Sequence, residues 1–254
     1  MGFATLSYII AICTAGSLTL NVIGAICVAT LFGIWWIFDR YRRLQCRVRL
    51  EVRSPKPAKG LILLLSPYRV KGVENLEEKV KFLATPGAAV QASDFDAISI
   101  QASNLYPQLC AITYHQKTLR EVWLICSDQS FQTGFLLKEY IRVVYGSETI
   151  SVNHRSEYIV NPYFDDQLFR VAEDIFATTD IKSRAMIADI TGGFATMSVS
   201  LAMACVTPGR RMQYMESPRD DQGEPIQSAP LRPIELDFDP VLHWGDDLTR
   251  QTVD

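Results

Sequence analysis

Residues Met186–Ser198 read M-I-A-D-I-T-G-G-F-A-T-M-S, and this stretch indicates the fold of the chain. Met186–Ile190 is a short apolar run typical of the end of a buried strand. The triplet Thr191–Gly193 interrupts it, and Phe194–Val206 then has the composition and length of a helix. Glycines at such a turn allow a ligand close to the backbone, and the free N–H groups of a helix start attract anions. The stretch predicts either a phosphate-binding turn or a plain tight turn.

Apolar runs alternate with helical patterns over residues 60–216. Leu61–Leu65 and Glu121–Cys126 are continuous apolar runs, which are typical of central strands in a parallel sheet covered on both faces. This alternation predicts an α/β fold with a mostly parallel, Rossmann-like sheet and helices on both faces. The other predicted strands are Ala97–Ile100, Thr149–Val152 and Gln213–Glu216, and the other predicted helices are Val73–Leu83, Leu105–His115, Phe131–Val144 and Asp165–Ala177.

Three of the predicted strands end in small polar loops followed by helices. These loops are Ser66–Tyr68, Ser127–Ser130 and Thr191–Gly193. Ligands of open α/β sheets bind beyond the carboxyl ends of the strands, where backbone amides and hydroxyls can hold phosphates. The sequence contains neither G-x-G-x-x-G after the first strand nor G-x-x-x-x-G-K-[ST], which disfavours ordinary dinucleotide binding and excludes a P-loop enzyme.

The amino-terminal region has the composition of a membrane segment. Gly2–Phe38 contains no Asp, Glu, Lys, Arg or His, and its best single span is Leu18–Phe38. Trp35 and Trp36 lie near the end of that span, where indoles prefer the interface, and arginines begin at Arg40. The positive-inside rule predicts a single-pass protein of the inner (cell) membrane with an external amino terminus and a cytoplasmic domain. A cleaved signal would need a basic start and is disfavoured.

One face of the membrane segment is small and polar. Asn21, Gly24 and Thr30 lie on it, and such residues favour helix packing in lipid or face a water path. The alternative is a lone anchor in which they only adjust packing. Residues 1–17 could extend the helix, lie at the outer interface or form a short second helix. Residues 39–58 read as a basic linker, in which Arg47–Val52 could be a short strand or a continuation of the helix.

Charge and cysteine content limit the remaining possibilities. The net charge of −3 offers no strong basic field for duplex nucleic acid. Ser217–Asp254 carries nine acidic residues against three arginines and is predicted to be a mostly irregular tail. Six cysteines without a C-x-x-C pair predict reduced thiols, with no metal site and no cofactor.

Three single residues need an interpretation. Asp189 lies inside a predicted strand, where it could assist catalysis but more commonly accepts structural hydrogen bonds. His115 and His154 have no metal-ligand spacing and are expected to be ordinary surface or helix-end histidines.

Residues Lys59–Glu216 resemble a CARF domain, the CRISPR-associated Rossmann-like sensor of cyclic oligoadenylates. The resemblance is carried by L-I-L-L-L-S-P from Leu61, E-V-W-L-I-C-S from Glu121, I-A-D-I-T-G-G-F-A-T-M-S from Ile187, and Asn104–Pro107 with its following helix. Together with the membrane segment, it resembles the membrane-bound CARF effectors of type III CRISPR systems. The resemblance implies a dimer with the ligand across its axis, cyclic tetra-adenylate as the favoured ring, and helices assembled as a tetramer or larger. It also implies a pore whose opening depolarises the membrane and arrests growth.

The resemblance also implies which residues contact the ligand. One departure is Ala195, where many family members carry a lysine that could stabilise developing charge, so we expect binding without catalysis. Phe194 either stacks on an adenine or packs in the core. The implied ligand-binding residues are Ser66, Pro67, Tyr68, Arg69, Asn104, Ser127, Asp128, Gln129, Ser130, Phe131, Gln132, Thr191, Gly192, Gly193, Phe194, Ala195, Thr196 and Met197.

Two alternative functions remain open at this point. One is a membrane-anchored ring nuclease that degrades the cyclic oligoadenylate, which the fold alone supports. The other is a membrane-tethered adaptor whose acidic tail recruits another protein.

Overall fold

The computed structural model of the chain describes residues 27–37, 49–85, 87–146, 149–163, 165–218, 222 and 230–239. The chain forms two units, one of which, Arg49–Asp239, is called the sheet domain below. The other consists of Met1–Val48 and Pro240–Asp254.

The described part of the second unit is a helix over residues 27–37. In it, the Thr30 hydroxyl donates a hydrogen bond to the carbonyl oxygen of Cys27 (2.9 Å). Along the stretches of chain that the structure describes, no helix combines the length and apolar character needed to cross a membrane. The predicted span Leu18–Phe38 lies only partly within those stretches, and Asn21 and Gly24 lie outside them.

The sheet domain is built on one mixed sheet. Its described strands lie in the order β1-β7-β6-β5-β2-β3-β4, with the central five from β6 to β4 parallel and β7 antiparallel to both β6 and β1. The strands are β1 (Arg49–Arg53), β2 (Gly60–Leu64), β3 (Glu121–Ile125), β4 (Ser151–Asn153), β5 (Met186–Asp189), β6 (Met212–Glu216) and β7 (Arg232–Asp239).

Helices cover both faces of the sheet, which explains why the central strands are apolar throughout. Alternate side chains of β2 enter different cores: Leu61 and Leu63 face one, and Ile62 and Leu64 face the other. The first core is completed by α1 to α4 and the second by α5 and α6. The helices are α1 (Leu76–Leu83), α2 (Ala92–Asp96), α3 (Tyr106–His115), α4 (Phe131–Tyr145), α5 (Asp165–Thr178) and α6 (Ala195–Ala204).

The predicted strand Ala97–Ile100 is wrong. Ile98 and Ile100 are buried, but Ser99 has φ +52° and a single 3-10 turn over Ile100–Ala102 follows. An alternation of buried and exposed residues over so short a segment therefore arises from a tight turn against the first core rather than from strand pairing.

The prediction of an irregular tail from Ser217 is wrong for Arg232–Asp239, which is β7. Its Glu235 is buried and bonded to Arg211 (2.8 Å) and Arg53 (3.1 Å). Burial by itself raises the pKa of Glu235, but the hydrogen bonds from these two arginines lower it overall. The pairing of β7 with β1 also places a strand inside the predicted 39–58 linker, so the sheet domain extends beyond 59–216 at both ends.

Candidate functional site

The three polar loops lie at one edge of the sheet. β5, β2 and β3 are adjacent parallel strands, so their carboxyl ends meet at the same side. The loops after β5 and β2 touch directly, because the Gly193 N–H donates to the Ser66 hydroxyl (3.2 Å). This edge is the candidate site.

The glycines after β5 are required by space and by conformation. A Cβ on Gly192 would overlap the carbonyl oxygen of Leu64 and the side-chain amide of Gln108. Gly193 has φ +76°, which L side chains rarely adopt. Gln108, on α3, was not singled out from the sequence; its amide donates to the Leu64 carbonyl oxygen (3.2 Å) and supports the turn from below. The only indication of Gln108 in the sequence is that a polar amide side chain lies within an otherwise apolar helical pattern.

Within the part of the chain that the structure describes, the start of α6 presents backbone donors without an acceptor. The Ser198 N–H bonds to the Phe194 carbonyl oxygen (3.0 Å), which closes the first helical turn. No side chain caps this end, and among the described residues no acceptor is bonded to the N–H groups of Ala195, Thr196 and Met197. An anion can satisfy these groups and is favoured by the helix dipole.

An exposed aromatic pair flanks these donors. Phe194 is 42% exposed and Tyr163 is 79% exposed, and their ring centroids are 6.2 Å apart. The Thr196 hydroxyl donates to the Pro162 carbonyl oxygen (2.6 Å), which fixes the Tyr163 loop beside the helix start. Core packing of Phe194 is therefore wrong as an interpretation. Tyr163 was not identified from the sequence because it lies in a loop without a motif.

The loop after β2 is braced by Asn104. Its side chain accepts from the Arg69 N–H (2.7 Å) and donates to the Pro67 carbonyl oxygen (2.8 Å). The Tyr68 hydroxyl donates to the Ile98 carbonyl oxygen (2.7 Å), so it supports the loop. The Arg69 side chain is exposed and adds positive charge next to the site.

We expect Asn104→Ala to weaken this brace and to lower the free energy of unfolding by about 1–2 kcal/mol, because two hydrogen bonds are lost at an exposed position. Asn104→Asp keeps the acceptor for Arg69 and should lose about half as much. Urea unfolding of both variants measures the difference. Equal losses would show that the contact with the Arg69 N–H contributes nothing.

The loop after β3 is turned partly inward. Ser127 and Ser130 are buried and bond to each other, with the Ser127 N–H donating to the Ser130 hydroxyl (2.8 Å). Asp128, Gln129 and Gln132 are exposed. The resemblance implies ligand contacts throughout this loop, but only the exposed side chains of Asp128, Gln129 and Gln132 can reach a ligand without rearrangement. The side chain of Met197, after β5, is likewise buried, so it can offer only its backbone N–H.

Asp189 is a structural acceptor. Its carboxylate accepts from the Thr191 N–H (2.9 Å) and from the Gln213 side-chain amide (2.9 Å). Burial raises the pKa of Asp189, while the hydrogen bonds from Thr191 and Gln213 oppose that rise. The group fixes the turn from inside the sheet.

His115 and His154 are both buried, so neither is a surface histidine. His115 is the last residue of α3, as the helix-end alternative predicts, whereas His154 follows β4 and fits neither expectation. Burial lowers the pKa of His115 to about 4 and also lowers that of His154. His154 packs against Phe131 and Phe135, with ring centroids 4.5 Å and 4.6 Å away. It therefore acts as a core side chain beside the loop after β3.

Within the described residues, no group of three or more His, Cys, Asp or Glu side chains is arranged to hold a metal ion, and the four cysteines described there are free. Neither a protein-family model nor a curated protein sequence matches the chain. Among solved structures, 26 chains are similar. One is Can2 from Sulfobacillus thermosulfidooxidans in complex with cyclic tetra-adenylate, at 15% identity and a TM-score of 0.37, covering 63% of this chain and 31% of that one. A likeness of this degree does not assign a function to this chain.

Proposed function

We propose that the sheet domain binds a cyclic oligoadenylate, with cyclic tetra-adenylate preferred over the hexamer. The observation that carries this proposal is a set of N–H donors at the start of α6 that have no acceptor among the described residues and lie directly beside the exposed ring of Phe194. A ligand that alternates phosphates with purine bases satisfies both features at once. Four identical units in a ring also suit a two-fold pair of such sites, so we propose that two copies share one ligand.

Each part of the ligand has a partner of matching chemistry. The phosphate is held by the N–H groups of residues 195–197, and the charge of Arg69 attracts it from solvent. An adenine stacks on Phe194, since aromatic stacking on a base is worth about 1–3 kcal/mol. Ala195 offers no charge to a developing oxyanion, which favours binding over cleavage.

The first test is a binding measurement on the full chain in detergent with cyclic tri-, tetra- and hexa-adenylate. Linear tetra-adenylate is the matched control, because it has the same bases without the ring. We expect one ring to bind at least tenfold more tightly than the linear form. Failure of every ring to bind would refute the proposal.

We expect Phe194→Ala to weaken binding by about 5- to 150-fold, the loss of one stacked base. Phe82→Ala is the matched control, because Phe82 is also an exposed phenylalanine (55%) but belongs to α1 and to none of the three loops. Calorimetric titration of both variants gives the comparison. An equal effect of the two substitutions would rule out stacking on Phe194.

We further propose that ligand binding rearranges the amino-terminal membrane helices and permits ions to leak. The support is the sequence of Leu18–Phe38, with its length, its absence of charge and its small polar face. Ligand-dependent dye or ion release from vesicles holding the full chain tests this, with the ligand recovered afterwards to measure cleavage. Saturating ligand without release would refute the gating proposal while leaving the binding proposal intact, and cleaved ligand would favour the ring nuclease.

A further inference from the structure

A line of buried hydrogen bonds runs from the candidate site to the connector between β1 and β2. Its members, called the buried relay below, are Asp189, Gln213 and His115. The Gln213 amide donates to Asp189 (2.9 Å), and its oxygen pairs with Nε2 of His115 (2.9 Å). Nδ1 of His115 accepts from the Ala58 N–H (3.1 Å). Ala58 and the three residues of the buried relay are each at most 1% exposed.

The relay has only one consistent arrangement of hydrogens. Because the Gln213 nitrogen faces the Asp189 carboxylate, its oxygen must face His115 and accept. His115 therefore carries its proton on Nε2 and uses Nδ1 as the acceptor for Ala58. If the Gln213 amide were flipped, or if the His115 proton were on Nδ1, one donor would face a donor and one acceptor would face an acceptor. These buried groups would then be unsatisfied, which is unfavourable.

Each end of the relay is attached to a defined part of the fold. At one end, Asp189 holds the Thr191 N–H (2.9 Å), and the Thr191 hydroxyl accepts from the Met215 N–H (2.7 Å). Thr191 is the first residue of the turn Thr191–Gly193 after β5. At the other end, Ala58 belongs to residues 54–59, which join β1 to β2. The Ala58 carbonyl oxygen is also held, by the Thr118 hydroxyl (2.8 Å).

From this geometry we infer that Gln213 and His115 are positioning residues of the candidate site, and that the buried relay couples the turn after β5 to the β1–β2 connector. A shift of Thr191 changes the fit of Asp189 to Gln213, and each following bond must adjust or break, because these buried groups do not face solvent. Coupling of this kind is reciprocal, so loss of the bond between the Ala58 N–H and the His115 ring also loosens the turn. In sequence, the basic amino-terminal residues are followed by β1 and then by the connector. A change at the connector on ligand binding can therefore be passed along the chain toward them.

The first experiment uses the wild-type full chain in detergent with imidazole ¹⁵N-labelled histidine. The chain has three histidines, so the His115 ring can be assigned with one variant. We expect the neutral Nε2–H tautomer in the absence of ligand and a shift of both ring nitrogens on saturation with cyclic tetra-adenylate. The ligand arm rests on the proposed function. Binding by calorimetry with no change at His115 would overturn the coupling, whereas absence of binding would count against the proposed function alone.

The second experiment needs no ligand. His115→Gln removes the acceptor for the Ala58 N–H. Thr118→Val removes the hydroxyl that bonds to the carbonyl oxygens of Ala58 and His115, but it keeps the bond between the Ala58 N–H and the His115 ring. We expect amide hydrogen exchange at Thr191, measured relative to Val152 in β4, to rise about tenfold in His115→Gln and to stay unchanged in Thr118→Val.

An equal rise at Thr191 in the two variants would overturn the inference, as would a rise in His115→Gln no larger than that of Val152. If His115→Gln does not fold, the wild-type tautomer decides: a ring protonated on Nδ1 instead of Nε2 is incompatible with the relay.

Discussion

Gly192→Ala is expected to abolish ligand binding and to lower the free energy of unfolding by about 3 kcal/mol. The added methyl group would overlap the Leu64 carbonyl oxygen, which belongs to the buried central strand β2 and cannot move aside. Either the strand or the turn after β5 must shift. A shift of the turn displaces the N–H groups at the start of α6, which hold the phosphate in the proposed complex.

Gly209→Ala is the matched control for this substitution. Gly209 has φ +83° and open space around its Cα, so alanine there costs only about 1 kcal/mol of backbone strain and touches nothing. Urea unfolding and calorimetric titration of both variants measure the two effects. Normal ligand affinity in Gly192→Ala would show that the turn is not part of the site.

The second large effect is a loss of stability in acid that originates at His115. Burial lowers its pKa from 6.5 to about 4, so the folded protein binds fewer protons than the unfolded chain between these values. The contribution is therefore fully present above pH 6.5 and is lost as the pH falls through about 4. With 1.36 kcal/mol per pKa unit, the free energy of unfolding should fall by about 3 kcal/mol between pH 7 and pH 4.

His115→Asn isolates this contribution, because the asparagine oxygen can replace Nδ1 as the acceptor for Ala58 but does not titrate. Subtracting the variant's free energy of unfolding from that of the wild type at each pH largely cancels the contribution of the carboxylates. One of these is Asp189, whose raised pKa changes stability with pH in the opposite direction. Urea unfolding at pH 7, 5.5 and 4 gives both curves, and ¹⁵N spectra give the His115 pKa directly. A His115 pKa near 6.5, or parallel curves, would contradict the prediction.

The elements that could be predicted from the sequence are those with a strong local period or a long apolar run. Leu61–Leu65 and Glu121–Cys126 correspond to β2 and β3, and the turn Thr191–Gly193 follows β5 as expected. Central strands covered on both faces leave an unmistakable apolar pattern. The adjacency of three strand ends then follows from the connectivity of a parallel sheet.

One strand was missed and one was wrongly predicted, because local pattern and composition indicated something else. β7 lies in an acidic region, and its buried Glu235 is tolerated only because Arg211 and Arg53 lie beside it. The segment Ala97–Ile100 buries its apolar residues from a tight turn. In both cases the outcome depends on the neighbours supplied by the folded chain.

The sequence by itself determined the α/β class, through the alternation of its apolar runs and helical patterns. It also determined the central strands and the glycine turn, because each of these is encoded within about ten consecutive residues. Only the tertiary structure decided that Tyr163 stands beside Phe194, that Gln108 lies beneath Gly192, and that Asp189 is joined to His115 through Gln213. These contacts link residues that are distant in sequence, and no local period records them. Burial also changes their chemistry, since it lowers the pKa of His115 from 6.5 to about 4.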